Sequence, residues 1–222
     1  MMKAIVCTQY ESPDVLQLQQ VDKPVPRNNE VLVKVHAASV TATGVGTRTG
    51  KPVIVRLPSA LTKPKNSILG LEFAGEIAAI GKDVTAFDVG DPVFGMTGAT
   101  TSGAYAEFNC MPEDGVMLPK PDNISYGEAA AIIEGSLTAL HLLHNKANIQ
   151  QGQKALIYGA SGSVGTASIQ IAKYFGADVT AVCSSANFEL VKSIGADSAI
   201  DYIKDDVTKN GQQYDVIFDT LV

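Results

Sequence analysis

Several things are scarce in these 222 residues, and each scarcity removes a class of protein. Cysteine occurs three times, at Cys7, Cys110 and Cys183, far apart and each inside a strand-like segment. That argues against a disulfide framework and for reduced core or edge thiols. Positive charge is in deficit: 17 Lys and Arg stand against 23 Asp and Glu, a formal net charge of −6. A nucleic-acid partner held through phosphate contacts is therefore disfavoured. No apolar run approaches the ~20 residues needed to cross a bilayer, and the apolar start at Met1 to Val6 is too short for a signal peptide. A cytoplasmic, membrane-free protein is expected. No internal repeat or low-complexity tract occurs. What remains, 45% apolar and 18% charged, is ordinary for a globular chain and long enough for two compact units.

The most telling segment present is Lys154-Ala-Leu-Ile-Tyr-Gly-Ala-Ser-Gly-Ser-Val-Gly165. Ala155 to Tyr158 read as a short strand buried on both faces, breaking into a glycine turn that opens a helix. The turn spells Ala160-x-Gly162-x-x-Gly165, the dinucleotide fingerprint with Ala in the first place. Gly162 leaves room for a pyrophosphate, and Gly165 lets helix and strand pack closely. The backbone N–H groups of Ala160, Ser161, Gly162, Ser163, Val164 and Gly165, with the positive end of the helix dipole, form a phosphate cradle. A P-loop is excluded because Val164 stands where its second Gly belongs. A nucleophile elbow centred on Ser161 meets Ser163 where its last Gly belongs.

Around the turn, strands are expected at Asp178 to Ser184, Ser198 to Tyr202 and Tyr214 to Asp219, with helices after Val164 and from Asn187 to Ile194. Alternation of this kind makes a parallel sheet with right-handed crossovers, and puts the turn at the ligand-binding edge. Four strands of a six-stranded doubly wound sheet are present, so the nicotinamide half is expected to be missing. The exposed fourth strand is then an unpaired edge inviting association. The first half is different: Met2–Cys7, Val15–Gln19, Glu30–Val40, Glu72–Gly81, Asp91–Met96 and Ala104–Cys110 read as short strands of an all-β unit, a small barrel. Pro119 to Asn123 links it to a helix begun by the capping box Ser125-Tyr-Gly-Glu128, with Ala129, Ile133, Leu137 and Leu140 along one face. Two domains follow, 1–123 and 124–222.

Together, Gly70-Leu-Glu-Phe-Ala-Gly-Glu76, Gly90-Asp-Pro-Val-Phe-Gly95, Gly103-Ala-Tyr-Ala-Glu107, Leu137-Thr-Ala-Leu140 and the glycine turn resemble the medium-chain dehydrogenase/reductase superfamily. The chain is most similar to its zinc-independent quinone oxidoreductase branch, zeta-crystallin-like and alkenal-reducing enzymes included. The resemblance implies an α/β protein: a GroES-like catalytic domain followed by a Rossmann domain that here is C-terminally incomplete. It also implies NADPH as hydride donor and a homodimer when the chain is complete.

Zinc-dependent relatives carry Gly-His-Glu where this chain has Gly70-Leu71-Glu72, and no other His or Cys clusters with metal spacing. No metal is expected. Cofactor choice rests on the second strand's end, Cys183-Ser184-Ser185-Ala186-Asn187. NAD-specific sites place a carboxylate there. None is present, while Ser184, Ser185 and Asn187 offer donors to a 2′-phosphate, so NADPH is expected. By resemblance, Tyr202 reaches the same phosphate, Thr138 touches the nicotinamide, and backbone at Thr220 nears the ribose. Relatives read Ala-Ser-Val-Asn-Pro-x-Asp where this chain has Ala38-Ser-Val-Thr41-Ala-Thr-Gly44. Thr41 therefore replaces the catalytic Asn and keeps one hydroxyl to donate to a developing oxyanion. Thr41 to Gly50 is expected as a small, polar, roomy or mobile loop. The function these readings support is NADPH-dependent reduction of quinones or α,β-unsaturated carbonyls. The alternative is a non-catalytic NADPH-binding fragment or regulatory remnant. A short-chain dehydrogenase is disfavoured, since no Tyr-x-x-x-Lys pair occurs.

Overall fold

Burial alternates along strands such as Pro92–Met96 and Phe108–Pro112, and runs continuously through others such as Lys154–Tyr158. The computed structural model describes residues 1–50, 67–98 and 103–221. They form two units, Met1–Ile133 and Glu134–Val222.

In the first unit, β1 (Met2–Cys7) and β2 (Leu16–Val21) pair as an antiparallel ribbon. Then come β3 (Glu30–Ala38), α1 (Ala42–Thr49), β4 (Glu72–Ile80), β5 (Pro92–Met96), β6 (Phe108–Pro112) and β7 (Met117–Pro119). Among the described residues these strands make one antiparallel sheet in the order β6-β3-β4-β5-β7. Inward positions Val31, Val33, Phe73, Ile77, Val93 and Met111 form its core. Register shifts at Leu32/Val33 and Val35/Ala37 are bulges in β3 and β4, and bulges bend a strand pair. The expected strand at Ala104–Cys110 begins later, at Phe108. The Ala104 and Tyr105 amides donate to the Gly70 and Leu69 carbonyls rather than to β3. The capping box is formed: Glu128 N–H donates to the Ser125 hydroxyl at 3.2 Å, and Ser125 N–H to the Glu128 carboxylate at 2.7 Å. It starts α2 (Tyr126–Ala131), whose Ala129 and Ala130 pack with Ala74.

The long helix expected after Ser125 is instead two, α2 and α3 (Ile133–Leu140), separated at Ile132. Its apolar stripe is not continuous: Ala129 and Ile133 are buried, but Leu137 and Leu140 are 45% and 41% exposed. Because α2 packs on the first sheet, the units divide after Ile133 rather than at Asn123. One turn of π-helix, His141–Lys146, continues α3.

In the second unit, β8 (Lys154–Tyr158), α4 (Ser163–Tyr174), β9 (Asp178–Cys183), α5 (Phe188–Ser193), β10 (Ser198–Asp201) and β11 (Val216–Asp219) alternate as expected. Their sheet is parallel, in the order β10-β9-β8-β11. Ala155, Ile157, Val179, Ala181 and Cys183 share one face and pack with Ile169 and Ala172 of α4 and Val191 of α5. Leu156 and Val182, on the opposite face, are buried too, the mark of strands in a parallel sheet. Helix α4 ends in a Schellman arrangement: Gly176, at φ +79°, donates to Lys173 O, and Ala177 to Ala172 O. The Lys173 ammonium then reaches Asp197 at 2.8 Å, and Asp197 also accepts from Val179 N–H at 2.7 Å.

Two outcomes follow. Asn109 of β6 is fully buried and, among the described residues, neither its amide nitrogen nor its oxygen has a hydrogen-bond partner. An unmatched buried polar group costs about 1–3 kcal/mol, so Asn109→Val is expected to raise Tm by a few degrees in calorimetry. At Asp197, burial acts to raise the carboxyl pKa, but the Lys173 hydrogen bond and the Val179 amide outweigh it and hold the pKa below the usual range. A depressed carboxylate stabilises the fold above its ordinary pKa and loses that contribution as pH falls through the depressed value. Denaturant melts at pH 7 and pH 3 should therefore show a smaller loss on acidification for Asp197→Asn than for the parent chain.

Candidate functional site

Strand β8 ends where Gly159 takes the left-handed conformation, φ +76°, which glycine adopts without strain. The Gly159 and Ala160 amides donate to Val182 O of β9 at 3.1 and 3.0 Å, and Gly162 N–H donates to Gly159 O at 3.1 Å. The Thr220 hydroxyl closes the turn from the far side, donating to Tyr158 O at 2.8 Å and reaching Gly159 O at 3.2 Å. The two fingerprint glycines differ in what they answer to. A Cβ on Gly165 would fall 2.3 Å from Gly159 O and 2.7 Å from the Ala160 backbone, so α4 and the turn touch main chain to main chain. A Cβ on Gly162 would meet only Gly159 O, at 3.4 Å. Neither packing nor its dihedrals, φ −78° and ψ 173°, require glycine there. Gly162 is also the N-cap of α4, and no side chain caps the helix. The Ser163, Val164 and Gly165 amides, which have no intrahelical acceptor, thus open onto a place kept clear of side chain. That place fits an anionic group such as a diphosphate.

Helix α3 lies against this start, because a Cβ on Gly135 would sit 2.6 Å from the Ser163 hydroxyl oxygen. Thr138 is one turn further on, along the same side of α3. Across the turn, the Asn187 amide donates to Ser161 Oγ at 3.1 Å and to Ser184 Oγ at 3.3 Å, which brings together three residues singled out from the sequence. Ser185 is committed differently. It lies within electrostatic reach of the Asp201 carboxylate at the end of β10, and that carboxylate accepts from Ile203 N–H at 3.0 Å. The end of the second strand carries no carboxylate, as its sequence reads, but Asp201 at the end of the third strand stands beside it. The Ile203 amide, with Ser185 and Lys204 behind it, holds the Asp201 carboxyl below its ordinary range. Tyr202 beside it is 52% exposed.

In the first unit, Thr41 is not in a loop. It is the N-cap of α1, and its Oγ1 accepts from Gly44 N–H at 3.2 Å. Gly50, at φ +61°, ends that helix, so the Thr41–Gly50 stretch is capped at both ends despite its weak helix formers. Accepting from Gly44 leaves the Thr41 proton to donate elsewhere. Just before it, Ser39 is held twice: its hydroxyl donates to the buried Glu72 carboxylate, and its carbonyl accepts from the Tyr105 hydroxyl at 3.1 Å. Burial first, then the Glu72 carboxylate, raises the Tyr105 pKa, so the phenol stays protonated and donating. The motifs containing Glu72 and Tyr105 are visible in the sequence, but only the fold brings both onto Ser39.

Comparison with known proteins gives these two units a lineage. Residues 27–122 match the alcohol dehydrogenase GroES-like domain, and residues 163–222 match the zinc-binding dehydrogenase domain. A 2-methylene-furan-3-one reductase of Solanum lycopersicum is 36% identical, over 99% of this chain and 57% of its own length. A quinone oxidoreductase of Mus musculus is 35% identical, over 100% of this chain and 67% of its own. The chain belongs to the medium-chain dehydrogenase/reductase superfamily, in its quinone oxidoreductase branch. A solved mycobacterial structure described as complexed with NADPH superimposes with a TM-score of 0.77 at 31% identity, over 92% of this chain and 60% of that one. This medium-chain dehydrogenase/reductase chain thus spans about three fifths to two thirds of the length of the proteins it matches. Although one matching domain is named for zinc, Leu71 holds the imidazole's place. Among the described residues no three His, Cys, Asp or Glu side chains are grouped to hold a metal.

The two glycines make separable predictions for this family member. Gly165→Ala drives a methyl into backbone that cannot yield, and should lower Tm by several degrees, since overpacking costs about 1–3 kcal/mol. Gly162→Ala should leave Tm within about one degree of the parent, as its dihedrals already suit alanine. Thermal melts of both variants read the difference.

Proposed function

We propose that this chain contains the nucleotide-holding part of an NADPH-dependent, zinc-independent reductase of quinones or α,β-unsaturated carbonyls. The observation that carries the reading is Gly162: a glycine its own fold does not need, at an uncapped helix start, has a reason only if something outside the protein approaches there. The names of the relatives point to quinones and to an exocyclic enone, and the mycobacterial neighbour to NADPH.

In this reading the amides of Ser163, Val164 and Gly165 hold the diphosphate, with Ala160 and Ser161 shaping the approach. Ser184, Ser185, Asn187 and Tyr202 surround the adenosine 2′-phosphate, Thr138 flanks the nicotinamide, and backbone at Thr220 borders the ribose. When bound, NADPH supplies the hydride that such a reduction consumes. The protein supplies position and electrostatics. The Thr41 hydroxyl donates to the substrate oxygen as negative charge develops there. Glu72 and Tyr105 keep Ser39, and with it the start of α1, from shifting. Water delivers the proton. A homodimer accompanies this reading by family resemblance, and a cytoplasmic location by the three widely spaced cysteines.

A second reading rests on Thr41 and Gly44 standing where relatives carry Asn and Asp: a nucleotide-binding protein without turnover. A fluorescence titration with NADPH, followed by stopped-flow assay against a panel of quinones and enones, separates the two. Uptake with loss of NADPH absorbance supports the reductase, uptake alone the binding protein, and no uptake ends both. Gly162→Val should weaken NADPH binding at least about tenfold while the melting temperature is retained, because only the ligand's approach is blocked.

A further inference from the structure

The donors around the adenosine corner are largely spent on one another. The Asn187 amide is engaged with Ser161 and Ser184, and Ser185 stands beside the Asp201 carboxylate. The Ser184 hydroxyl, which accepts from Asn187, keeps a proton to give, but it is neutral like the rest of Ser184-Ser185-Ala186-Asn187. The segment holds no cation. A phosphate monoester arriving there meets a chain of net charge −6 and, behind Ser185, the Asp201 carboxylate. Hydroxyls and amides do not neutralise a near-dianion, so selecting a phosphorylated ribose requires a positive group within reach.

One stands beside the offending carboxylate. The Lys204 ammonium lies 3.6 Å from Asp201 Oδ2, and its side chain is 69% exposed. At that separation the contact is longer than a hydrogen bond. Although the Asp201 side chain is only 5% exposed, the lysine end is in solvent and able to swing to another anion. Asp201, by contrast, is fixed by the Ile203 amide and by Ser185, so it stays while the lysine moves.

We propose that Lys204 is the specificity-determining cation of this corner, parked on Asp201 and transferred to the 2′-phosphate of an adenosine nucleotide when one binds. The assignment rests on the nucleotide reading above, but its test needs neither nicotinamide nor turnover. Calorimetric titrations of the 222-residue chain with 5′-AMP and with adenosine 2′,5′-bisphosphate report the two readings separately. The parent chain is expected to prefer the bisphosphate. Lys204→Gln should weaken the bisphosphate roughly tenfold and leave 5′-AMP within about twofold. Lys209→Gln, which removes a nearby surface lysine 3.0 Å from Asp206, should change neither. Asp201→Asn keeps an acceptor for Ile203 but frees Lys204, and should tighten the bisphosphate.

Lys204 is overturned if its variant keeps the parent's preference, if Lys209→Gln loses as much, or if the parent binds 5′-AMP with no preference for the bisphosphate. In each of those cases the nucleotide reading survives. A parent chain that takes up neither compound removes both.

Discussion

Main chain against main chain at one point governs the second unit: the carbonyl of Gly159 lies where any side-chain atom at Gly165 would have to go. Because neither backbone can give way, helix α4 must start flush with the end of β8. That closeness aims the uncapped amides of its first turn outward at the edge of the sheet. The left-handed Gly159, the Val182 carbonyl that takes two amides, and the Thr220 hydroxyl exist to hold this bend. The packing of Gly135 on Ser163 brings α3 to the same place. A ligand-facing surface here is a by-product of tight helix–strand contact, which is why glycine spacing announces it so plainly.

Much of this was legible in advance. The βα alternation and the packing role of Gly165 follow from local patterns, since turns of parallel sheets are short and their glycines answer to sterics. The capping box at Ser125 and Glu128 is equally local. What escaped was decided by distant partners. Nothing in Ala104–Tyr105 says that their amides turn to Gly70 and Leu69, and nothing in Thr41–Gly50 outweighs its poor propensity except caps at both ends. Leu137 and Leu140 keep helical spacing with Ala129, yet the chain parts at Ile132 and leaves them exposed. Asp201 is hidden for a different reason: the usual acidic position is on the second strand, and the third strand's end is its neighbour only in space.

The first unit holds Ser39 through a polar clamp from two directions. With Leu71 in the imidazole's position, the neighbouring Glu72 carboxylate takes the Ser39 hydroxyl, and the Tyr105 phenol takes the Ser39 carbonyl. Opposite ends of one residue are thus anchored from β4 and from the segment leading into β6. The arrangement keeps a carboxylate buried at 1% exposure, which requires that its hydrogen bonds be satisfied. A polar clamp of this kind fixes the position of Ser39 and of the start of α1 that follows it.

The latch from Thr220 back to Tyr158 and Gly159 joins residues some sixty positions apart. On the ribosome, the glycine bend is made long before the residue that secures it leaves the exit tunnel. Until then β8 has β9 beside it but not yet β11, and its bend is tied by the Val182 carbonyl and the Gly162 amide. Completion of the bend therefore waits for β11, a delay written into the order of the strands.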